Sequence, residues 1–262
     1  MFADWEKFSI FKIKEIVLES SREFWPEISE ELKLDSRKGV QKMGFHLENK
    51  LANVEKEKAR LRKLQQMEDT LRKAGYRYVG GIDEVGRGPL AGPVVAACVI
   101  LPEGCHLAGL NDSKKLTAEQ REVLEQQIKM EAVAWSVGLV NHKEIDILNI
   151  YQSTRLAMLK AVKALTVKPD YLLLDAMNIV TNIPQKSVIH GDSQCAAIAA
   201  ASIIAKTYRD RIMRIMDAFY PVYGFKENKG YGTARHVEAL KLHGPSRVHR
   251  SSFLHNFINF IN

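Results

Sequence analysis

The chain has 262 residues, 46% of them apolar, so it is long and apolar enough for a substantial core and is not an intrinsically disordered protein. Its formal net charge of +7 and isoelectric point near 9.2 favour a polyanionic partner. Three cysteines without a Cys-x-x-Cys pair argue against a disulfide framework or a zinc site. An acidic N-terminus and the lack of a run of about 20 apolar residues argue against a signal peptide and a membrane span. We therefore expect a soluble cytoplasmic protein.

Residues 1–74 differ in composition from the rest of the chain. Apolar residues recur at helical spacing from Ile10 to Val17, and a long helix is predicted from about Leu47 to Leu71. The segment contains no cluster typical of catalysis, and its residues fit either a helical appendage or an extra substrate-binding element. We predict a helical N-terminal extension over 1–74 and a catalytic domain with a helical C-terminal part over 75–262.

Strand and helix patterns alternate after Tyr76, which favours an α/β layered domain. Capping boxes begin two of the predicted helices, at Thr117 and at Asn141. The first two strands are expected to pair antiparallel through a glycine-rich turn. Strands are predicted over 78–83, 93–101, 132–140, 171–175 and 187–190, and helices over about 118–130, 142–165, 191–219 and 234–242.

Two adjacent carboxylates, Asp83 and Glu84, end the first predicted strand, and the turn Gly86-Arg87-Gly88 follows them. Adjacent side chains in a strand point to opposite faces. Both carboxylates can still serve one metal site if the strand bends there, and glycines permit such a bend and a close approach of the backbone to a ligand. The pattern is typical of a metal-dependent site that acts on a phosphate backbone.

Two further acids follow short strands, Asp175 directly and Asp192 at the start of a helix. Taken singly, Asp175 fits a turn and Asp192 fits a helix cap. Strand ends in an α/β sheet converge on one rim, however, and four acids there would repel one another without a cation. Mg²⁺ or Mn²⁺ prefers such oxygen ligands, and two ions can stabilise both the attacking water and the leaving oxygen of a phosphodiester.

Basic residues concentrate between Lys206 and Arg250, where the stretch fits either a solvated helix face or a phosphate-contacting surface. Lys114 and Lys115 fit either a polar turn or a phosphate contact. Tyr231 lies between glycines in a basic loop, where an aromatic ring either stacks on a base or sugar or packs into the core. Dinucleotide, P-loop and serine-hydrolase motifs are absent from the sequence.

These residues together resemble the ribonuclease HII family, the bacterial type 2 ribonuclease H. The resemblance extends over about residues 79–253, through the segments 81–88, 111–116, 174–175, 191–192, 199–206, 209–211 and 229–233. It implies an RNase H-like fold with a central mixed sheet flanked by helices. It also implies an endoribonuclease that cleaves RNA in RNA–DNA hybrids and incises 5′ to single ribonucleotides in duplex DNA, leaving 3′-hydroxyl and 5′-phosphate ends.

The resemblance also implies roles for individual residues. The four acids would be catalytic and would bind Mg²⁺ or Mn²⁺, the Gly86-Arg87-Gly88 turn would contact the ribose 2′-hydroxyl, and Tyr231 would stack on the 3′ deoxyribose. The metal-binding set would be Asp83, Glu84, Asp175 and Asp192. The substrate-binding set would be Gly86, Arg87, Gly88, Lys114, Lys115, Lys206, Lys229 and Tyr231.

Three alternatives stand beside this interpretation. Ribonuclease HIII also has an N-terminal extension, but its turn resembles Gly-Thr-Gly and its extension is built around a sheet, whereas this chain has Gly86-Arg87-Gly88 and a helical pattern. A DNA nuclease of related fold would cleave an all-DNA duplex. A non-catalytic nucleic-acid-binding protein is disfavoured because all four acids are present. The chain shows no signal for oligomerisation, and we expect a monomer.

Overall fold

The computed structural model describes residues 4–254, which form two compact units that divide between Arg60 and Leu61. No helix within those described residues is long and apolar enough to cross a membrane. The helices are α1 (Ile10–Glu19), α2 (Trp25–Lys33), α3 (Lys38–Leu64), α4 (Gln66–Lys73), α5 (Ala118–Glu131), α6 (His142–Leu148), α7 (Ile150–Ala164), α8 (Ala196–Phe219), α9 (Phe225–Asn228) and α10 (Ala234–His243). The strands are β1 (Val79–Val85), β2 (Val94–Ile100), β3 (Ala134–Val140), β4 (Tyr171–Asp175) and β5 (Gln185–Val188).

The first unit is helical, as its apolar spacing predicts. The helix predicted from about Leu47 to Leu71 is instead two helices, because α3 begins at Lys38 and ends at Leu64, and α4 begins at Gln66. Its core consists of Trp5, Ile13, Ile28, Leu32, Val40 and Leu47. Arg37 ties the turn before α3 to the start of the chain, because its guanidinium bonds the Asp35 carboxylate at 2.7 Å and the carbonyl oxygens of Trp5 and Phe8. Buried donors and acceptors in this turn thus satisfy one another.

A five-stranded mixed sheet with the order β3-β2-β1-β4-β5 forms the centre of the second unit. β1 pairs antiparallel with β2 and parallel with β4, and β4 pairs parallel with β5. Alternate residues of β2 face opposite layers: Val95, Ala97 and Val99 pack with α8, while Ala96 and Cys98 pack with α7. The predicted fold class, a central mixed sheet flanked by helices, is therefore confirmed.

Gly81 allows α8 to lie directly on β1. A Cβ atom at this position would lie 2.2 Å from the carbonyl carbon of Ala197, which is too close for any side chain. The helix contributes a small residue to the same contact, Ala197, so the two backbones come close to each other. This close packing fixes the position of β1, which carries Asp83 and Glu84.

The helix predicted over 142–165 is instead two helices, and that prediction was wrong at Asn149. This residue has φ +68°, which ends α6, and its side-chain oxygen accepts a hydrogen bond from the Gln152 N–H at the start of α7. Asparagine is enriched among residues with positive φ and caps helices well, so one residue both ends one helix and begins the next.

The two units divide at Arg60 and Leu61, fourteen residues before the predicted boundary at 74/75. Leu61 and Leu64 belong to the same core cluster as Val99, and the carboxylate of Glu68 accepts a hydrogen bond of 2.8 Å from the Ala197 N–H. The last part of the predicted extension therefore packs with the sheet. Residues 255–262 of the predicted catalytic domain lie outside the described residues.

Candidate active site

Asp83 and Asp175 lie side by side at the carboxyl ends of two neighbouring parallel strands. The parallel pairing of β1 with β4 ends at Ile82 opposite Leu174, and each acid is the next residue along its strand. Neighbouring strands are about 4.8 Å apart, so the register alone brings the two carboxylates together. The predicted convergence of these strand ends is what the structure shows.

Asp83 is buried, and its Oδ1 accepts a hydrogen bond of 2.7 Å from the Glu84 N–H. Burial raises the pKa of Asp83 well above its usual value, and the charges of Glu84 and Asp175 raise it further, against a hydrogen bond from the Ser202 hydroxyl that lowers it. Ser202 lies on α8 and also bonds the hydroxyl of Ser113 at 2.8 Å. The carboxylate therefore occupies a site where its negative charge is poorly compensated.

Glu84 has one carboxylate oxygen, Oε2, that is buried and has no hydrogen-bond partner in the structure. Its other oxygen accepts a bond of 3.3 Å from Arg87. Burial raises the pKa of Glu84 and so does Asp175, while Arg87 and Lys114 lower it. Asp175 thus acts on both neighbouring acids of β1, although alternation along a strand would separate their side chains. The strand ends one residue later, before Gly86 with φ +91°.

Asp192 joins this group from the turn after β5. Asp175 Oδ1 accepts a hydrogen bond of 2.7 Å from the Gly191 N–H, which holds the turn against β4. Burial raises the pKa of Asp192, and the charges of Asp112 and Asp175 raise it further, while Lys114 lowers it. His190, just before the turn, has φ +54°, a strained value for a residue other than glycine.

Asp192 is not the N-cap of α8, which was the alternative interpretation of this residue. The helix begins at Ala196 with Cys195 as its N-cap, and the Cys195 side chain makes no capping bond. The carboxylate of Glu68 accepts from the Ala197 N–H instead. Asp192 therefore remains available to the acidic cluster formed with Asp83, Glu84 and Asp175.

The four lysines expected at the substrate surface have different surroundings. Lys114 lies 3.7 Å from Asp192 Oδ2 with an exposed side chain, and Lys115 is exposed in the same turn. Lys206 pairs with Asp210 at 2.7 Å. The Lys229 ammonium donates to the carbonyl oxygen of Lys226, and burial lowers its pKa. Of the four, Lys114 acts electrostatically on the acids, since Asp192, Asp83 and Asp175 each raise its pKa against the lowering by burial.

Tyr231 is exposed and lies beside the glycine turn. Its Cε1 would be 3.8 Å from a Cβ atom at Gly88, and 43% of the residue is accessible to solvent. The alternative of a core tyrosine is therefore excluded. The backbone joins the two loops as well, because the Leu90 N–H donates 2.8 Å to the Gly230 carbonyl oxygen.

Two buried arginines contact the backbone of these loops, and the sequence interpretation missed this positioning role. It placed them in a basic stretch that fits either a solvated helix face or a phosphate-contacting surface. Arg209 and Arg250 are fully buried. Arg250 donates to the carbonyl oxygens of Gly86, Arg87 and Gly92, and Arg209 donates to those of Ala91, Pro93 and Lys229. Burial lowers the pKa of Arg209 to about 10 and that of Arg250 to about 9. Charge counting along a sequence cannot distinguish such residues from exposed ones.

The four carboxylates are the type of ligand that a hard divalent cation prefers, although their arrangement is not that of a complete metal site. Within residues 4–254, no group of three or more His, Cys, Asp or Glu side chains is arranged so that it could hold a metal ion. The four carboxylates nevertheless repel one another, and Glu84 Oε2 is buried without a partner. A divalent cation would relieve that repulsion and supply that partner, and carboxylate oxygens are the ligands it prefers.

Known proteins with similar sequences agree with this geometry. The sequence profile of "Ribonuclease HII" matches residues 80–256, and that of "Ribonuclease HII N-terminal domain" matches residues 9–72. A ribonuclease HII of Bacillus cereus is 52% identical over 221 residues, covering 84% of this chain and 85% of the relative. One of Bacillus thuringiensis (strain Al Hakam) is 50% identical over 219 residues, with the same coverage.

Solved structures show the same fold. The ribonuclease H2 from Pyrococcus horikoshii OT3 superposes with a TM-score of 0.61 at 26% identity, covering 70% of this chain and 97% of that one. Bst-RNase HIII in complex with Mn²⁺ superposes with a TM-score of 0.52 at 17% identity, covering 71% and 70%, a likeness of fold alone. The family profile, the close relatives and the strand-end acids lead to one conclusion: the chain belongs to the ribonuclease HII family, metal-dependent endoribonucleases that hydrolyse the RNA strand of RNA–DNA hybrids.

Proposed function

We propose that this protein incises duplex DNA on the 5′ side of a single embedded ribonucleotide, in addition to cleaving longer RNA–DNA hybrids, and leaves 3′-hydroxyl and 5′-phosphate ends. The observation that carries the proposal is the placement of Asp83 and Asp175 at adjacent strand ends. Glu84 is close enough to raise the pKa of the buried Asp83, and Asp175 is close enough to raise the pKa of the buried Asp192. Asp83, Glu84, Asp175 and Asp192 are the proposed catalytic residues.

Mg²⁺ or Mn²⁺ is the proposed cofactor, held by those four carboxylates. When bound, such ions lower the pKa of an attacking water and stabilise the leaving 3′-oxygen. The protein contributes the positions of the carboxylates. Gly191 N–H orients Asp175, and Glu84 N–H orients Asp83, each by a bond of 2.7 Å. Lys114 partly neutralises the cluster beside Asp192.

Recognition of the ribose is assigned to the Gly86-Arg87-Gly88 turn and to Tyr231. The 2′-hydroxyl distinguishes RNA from DNA, and a turn without Cβ atoms at two of its three positions lets backbone groups come close to it. The exposed Tyr231 ring lies next to Gly88, where it can stack on the sugar that follows the ribonucleotide.

Four lysines complete the proposed substrate surface, Lys114 and Lys115 in one turn and Lys206 and Lys229 near the C-terminal loops. Ammonium groups bind phosphates without reading sequence, so they would add affinity that falls with salt.

One chain supplies every residue of the site, and we propose that the protein acts as a monomer. We also propose that it works in the cytoplasm, where chromosomal DNA lies in bacteria.

The test uses an end-labelled DNA duplex with one ribonucleotide and an all-DNA duplex of the same sequence, each with Mg²⁺ or Mn²⁺. We expect a single cut 5′ to the ribonucleotide, no cut in the all-DNA duplex and no reaction with chelator. Asp83→Asn is the matched inactive control, because it keeps the size of the side chain and removes its charge. Cleavage restricted to long hybrids would refute the single-ribonucleotide activity, and full activity of Asp83→Asn would refute the assignment of the acids.

A further inference from the structure

Two buried histidines form a continuous chain of hydrogen bonds that ends at the backbone of Tyr231. The Nε2 atoms of His236 and His249 are 2.9 Å apart, and Nδ1 of His236 is 2.8 Å from the carbonyl oxygen of Tyr231. At the other end, the backbone N–H of Ser246 donates to Nδ1 of His249 at 2.9 Å. Both rings are buried. This chain of hydrogen bonds therefore connects the turn after α10 with the loop that carries Tyr231.

These contacts define the tautomer of each ring. The backbone N–H of Ser246 can only donate, so Nδ1 of His249 carries no proton and the neutral ring carries it on Nε2. That proton is donated to Nε2 of His236, so His236 carries its own proton on Nδ1 and donates it to the Tyr231 carbonyl oxygen. All four ring nitrogens then have a partner, and every donor faces an acceptor.

The surroundings keep the pair neutral. Aromatic rings of Tyr223 and Phe225 pack against both histidines, with centroids 4.8 to 6.1 Å away. Burial and the nearby His236 and His142 together lower the pKa of His249 to about 4. Burial also lowers the pKa of His236. Protonation of His236 would place two donors against each other at the Nε2 contact, and protonation of His249 would place an Nδ1–H against the Ser246 N–H. The hydrogen-bond chain therefore requires both rings to be neutral.

The Tyr231 loop is held at three successive carbonyl groups. The carbonyl of Lys229 accepts from Arg209 and that of Gly230 accepts from the Leu90 N–H. The carbonyl of Tyr231 accepts from the Thr233 N–H at 2.8 Å and from His236. The backbone N–H of Tyr231 also donates to the Asn228 carbonyl oxygen at 2.9 Å. The bond from His236 is the contact that a side chain makes with the backbone of Tyr231 itself.

We propose that His236, oriented by His249, is a positioning residue that sets the conformation of Tyr231 for discrimination of the ribonucleotide junction. The proposal rests on the stacking role proposed for Tyr231. It assigns the histidines no contact with substrate and no part in proton transfer to it. Their effect is to fix the backbone from which the tyrosine ring projects.

Two substitutions of His236 separate this role from simple packing. In His236→Asn the side-chain N–H₂ group replaces Nδ1–H, which keeps the bond to Tyr231 and removes the bond to His249. In His236→Gln the amide replaces Nε2, which keeps a partner for His249 and removes the bond to Tyr231. Each variant loses one buried hydrogen bond, so we expect similar melting temperatures.

The readout is kcat/KM for the single-ribonucleotide duplex divided by kcat/KM for a long hybrid. We expect His236→Gln to reduce this ratio by roughly tenfold relative to His236→Asn, the effect of about one hydrogen bond, mainly through KM. Equal ratios in the two variants would overturn the positioning role.

Nitrogen-15 NMR of wild-type protein with labelled histidines tests the hydrogen-bond chain by a measurement that does not depend on enzymatic activity. Among the eight histidines, we expect the rings of His236 and His249 to be neutral at pH 7, with the proton on Nδ1 of His236 and on Nε2 of His249. An Nε2–H tautomer at both of these residues, or a charge on either ring, would overturn the assignment. Absence of incision at a single ribonucleotide by the wild-type protein would refute the proposed function and with it the role in discrimination, while the NMR spectrum would still decide the hydrogen-bond chain.

Discussion

Arg250 donates a hydrogen bond of 2.6 Å to the carbonyl oxygen of Gly86, from a position 164 residues further along the chain. The same buried guanidinium bonds the carbonyl of Arg87, so the turn proposed to contact the ribose is held from below by a cation. Planar guanidinium groups can bond several carbonyls at fixed angles, and an ammonium cannot.

We therefore expect Arg250→Lys to destabilise the protein by about 1–3 kcal/mol, because carbonyls are left buried without donors. It should also lower kcat/KM more than tenfold at temperatures where the variant is folded. Urea unfolding and hybrid cleavage measure the two effects. Arg214→Lys is the matched control, since Arg214 is about half exposed and pairs with Glu122 at 3.5 Å. Equal behaviour of the two variants would contradict the role of Arg250.

Asp83→Asn should stabilise the metal-free protein while abolishing cleavage. The substitution removes a buried negative charge that Glu84 and Asp175 repel. Mg²⁺ or Mn²⁺ should raise the melting temperature of the wild-type protein, because the ions relieve that repulsion, and should raise it much less in the variant. Calorimetry with and without ion checks both effects. A variant that melts lower than the wild type without metal would count against charge repulsion at this site.

The stability of the second unit should fall in mild acid because His249 is buried. Its pKa is about 4 in the folded protein, against about 6.5 in an unfolded chain. The unfolded state therefore binds the proton first, so the contribution of His249 is complete above pH 6.5 and is lost as the pH falls toward 4. Its size is about 3 kcal/mol at most, from the difference between the two pKa values.

Urea unfolding at pH 7.5 and 4.5 measures this loss. His249→Gln should show a smaller drop in unfolding free energy between the two pH values than the wild type. His243→Gln should match the wild type, because His243 is exposed. A drop of the same size in all three proteins would assign the acid sensitivity to other groups.

Replacement of Tyr231 should separate stacking from hydrogen bonding. Tyr231→Ala removes the ring beside Gly88 and should weaken binding of the single-ribonucleotide duplex by about 1–3 kcal/mol. Tyr231→Phe keeps the ring and should stay within about threefold of the wild type, since stacking does not need the hydroxyl. Duplex affinity measured with chelator present would isolate binding from cleavage. An alanine variant that binds as tightly as the phenylalanine variant would refute stacking.

The sheet and its acids could be predicted because each depends on local signals. Apolar runs end at Asp83 and Asp175, and the parallel register that unites them follows from ordinary α/β topology. The break at Asn149 was missed because apolar spacing continues across it, although asparagine is a residue that permits φ +68°. The roles of Arg209 and Arg250 depend on contacts with distant backbone carbonyls, and local sequence patterns contain no signal for such contacts.

Through the carboxylate of Glu68, the last part of the predicted N-terminal extension stabilises the second unit. This carboxylate accepts a hydrogen bond from the Ala197 N–H at the N-terminus of α8, where the side chain of the N-cap residue makes no capping bond. The same helix carries Ser202, which bonds Asp83. Removal of residues 1–74 would therefore expose a helix terminus and part of the core, whereas removal of residues 1–60 would leave both covered. We therefore expect the shortest stable form of the protein to include more residues than the 80–256 that match the family profile. Its N-terminus would lie near residue 61, inside α3.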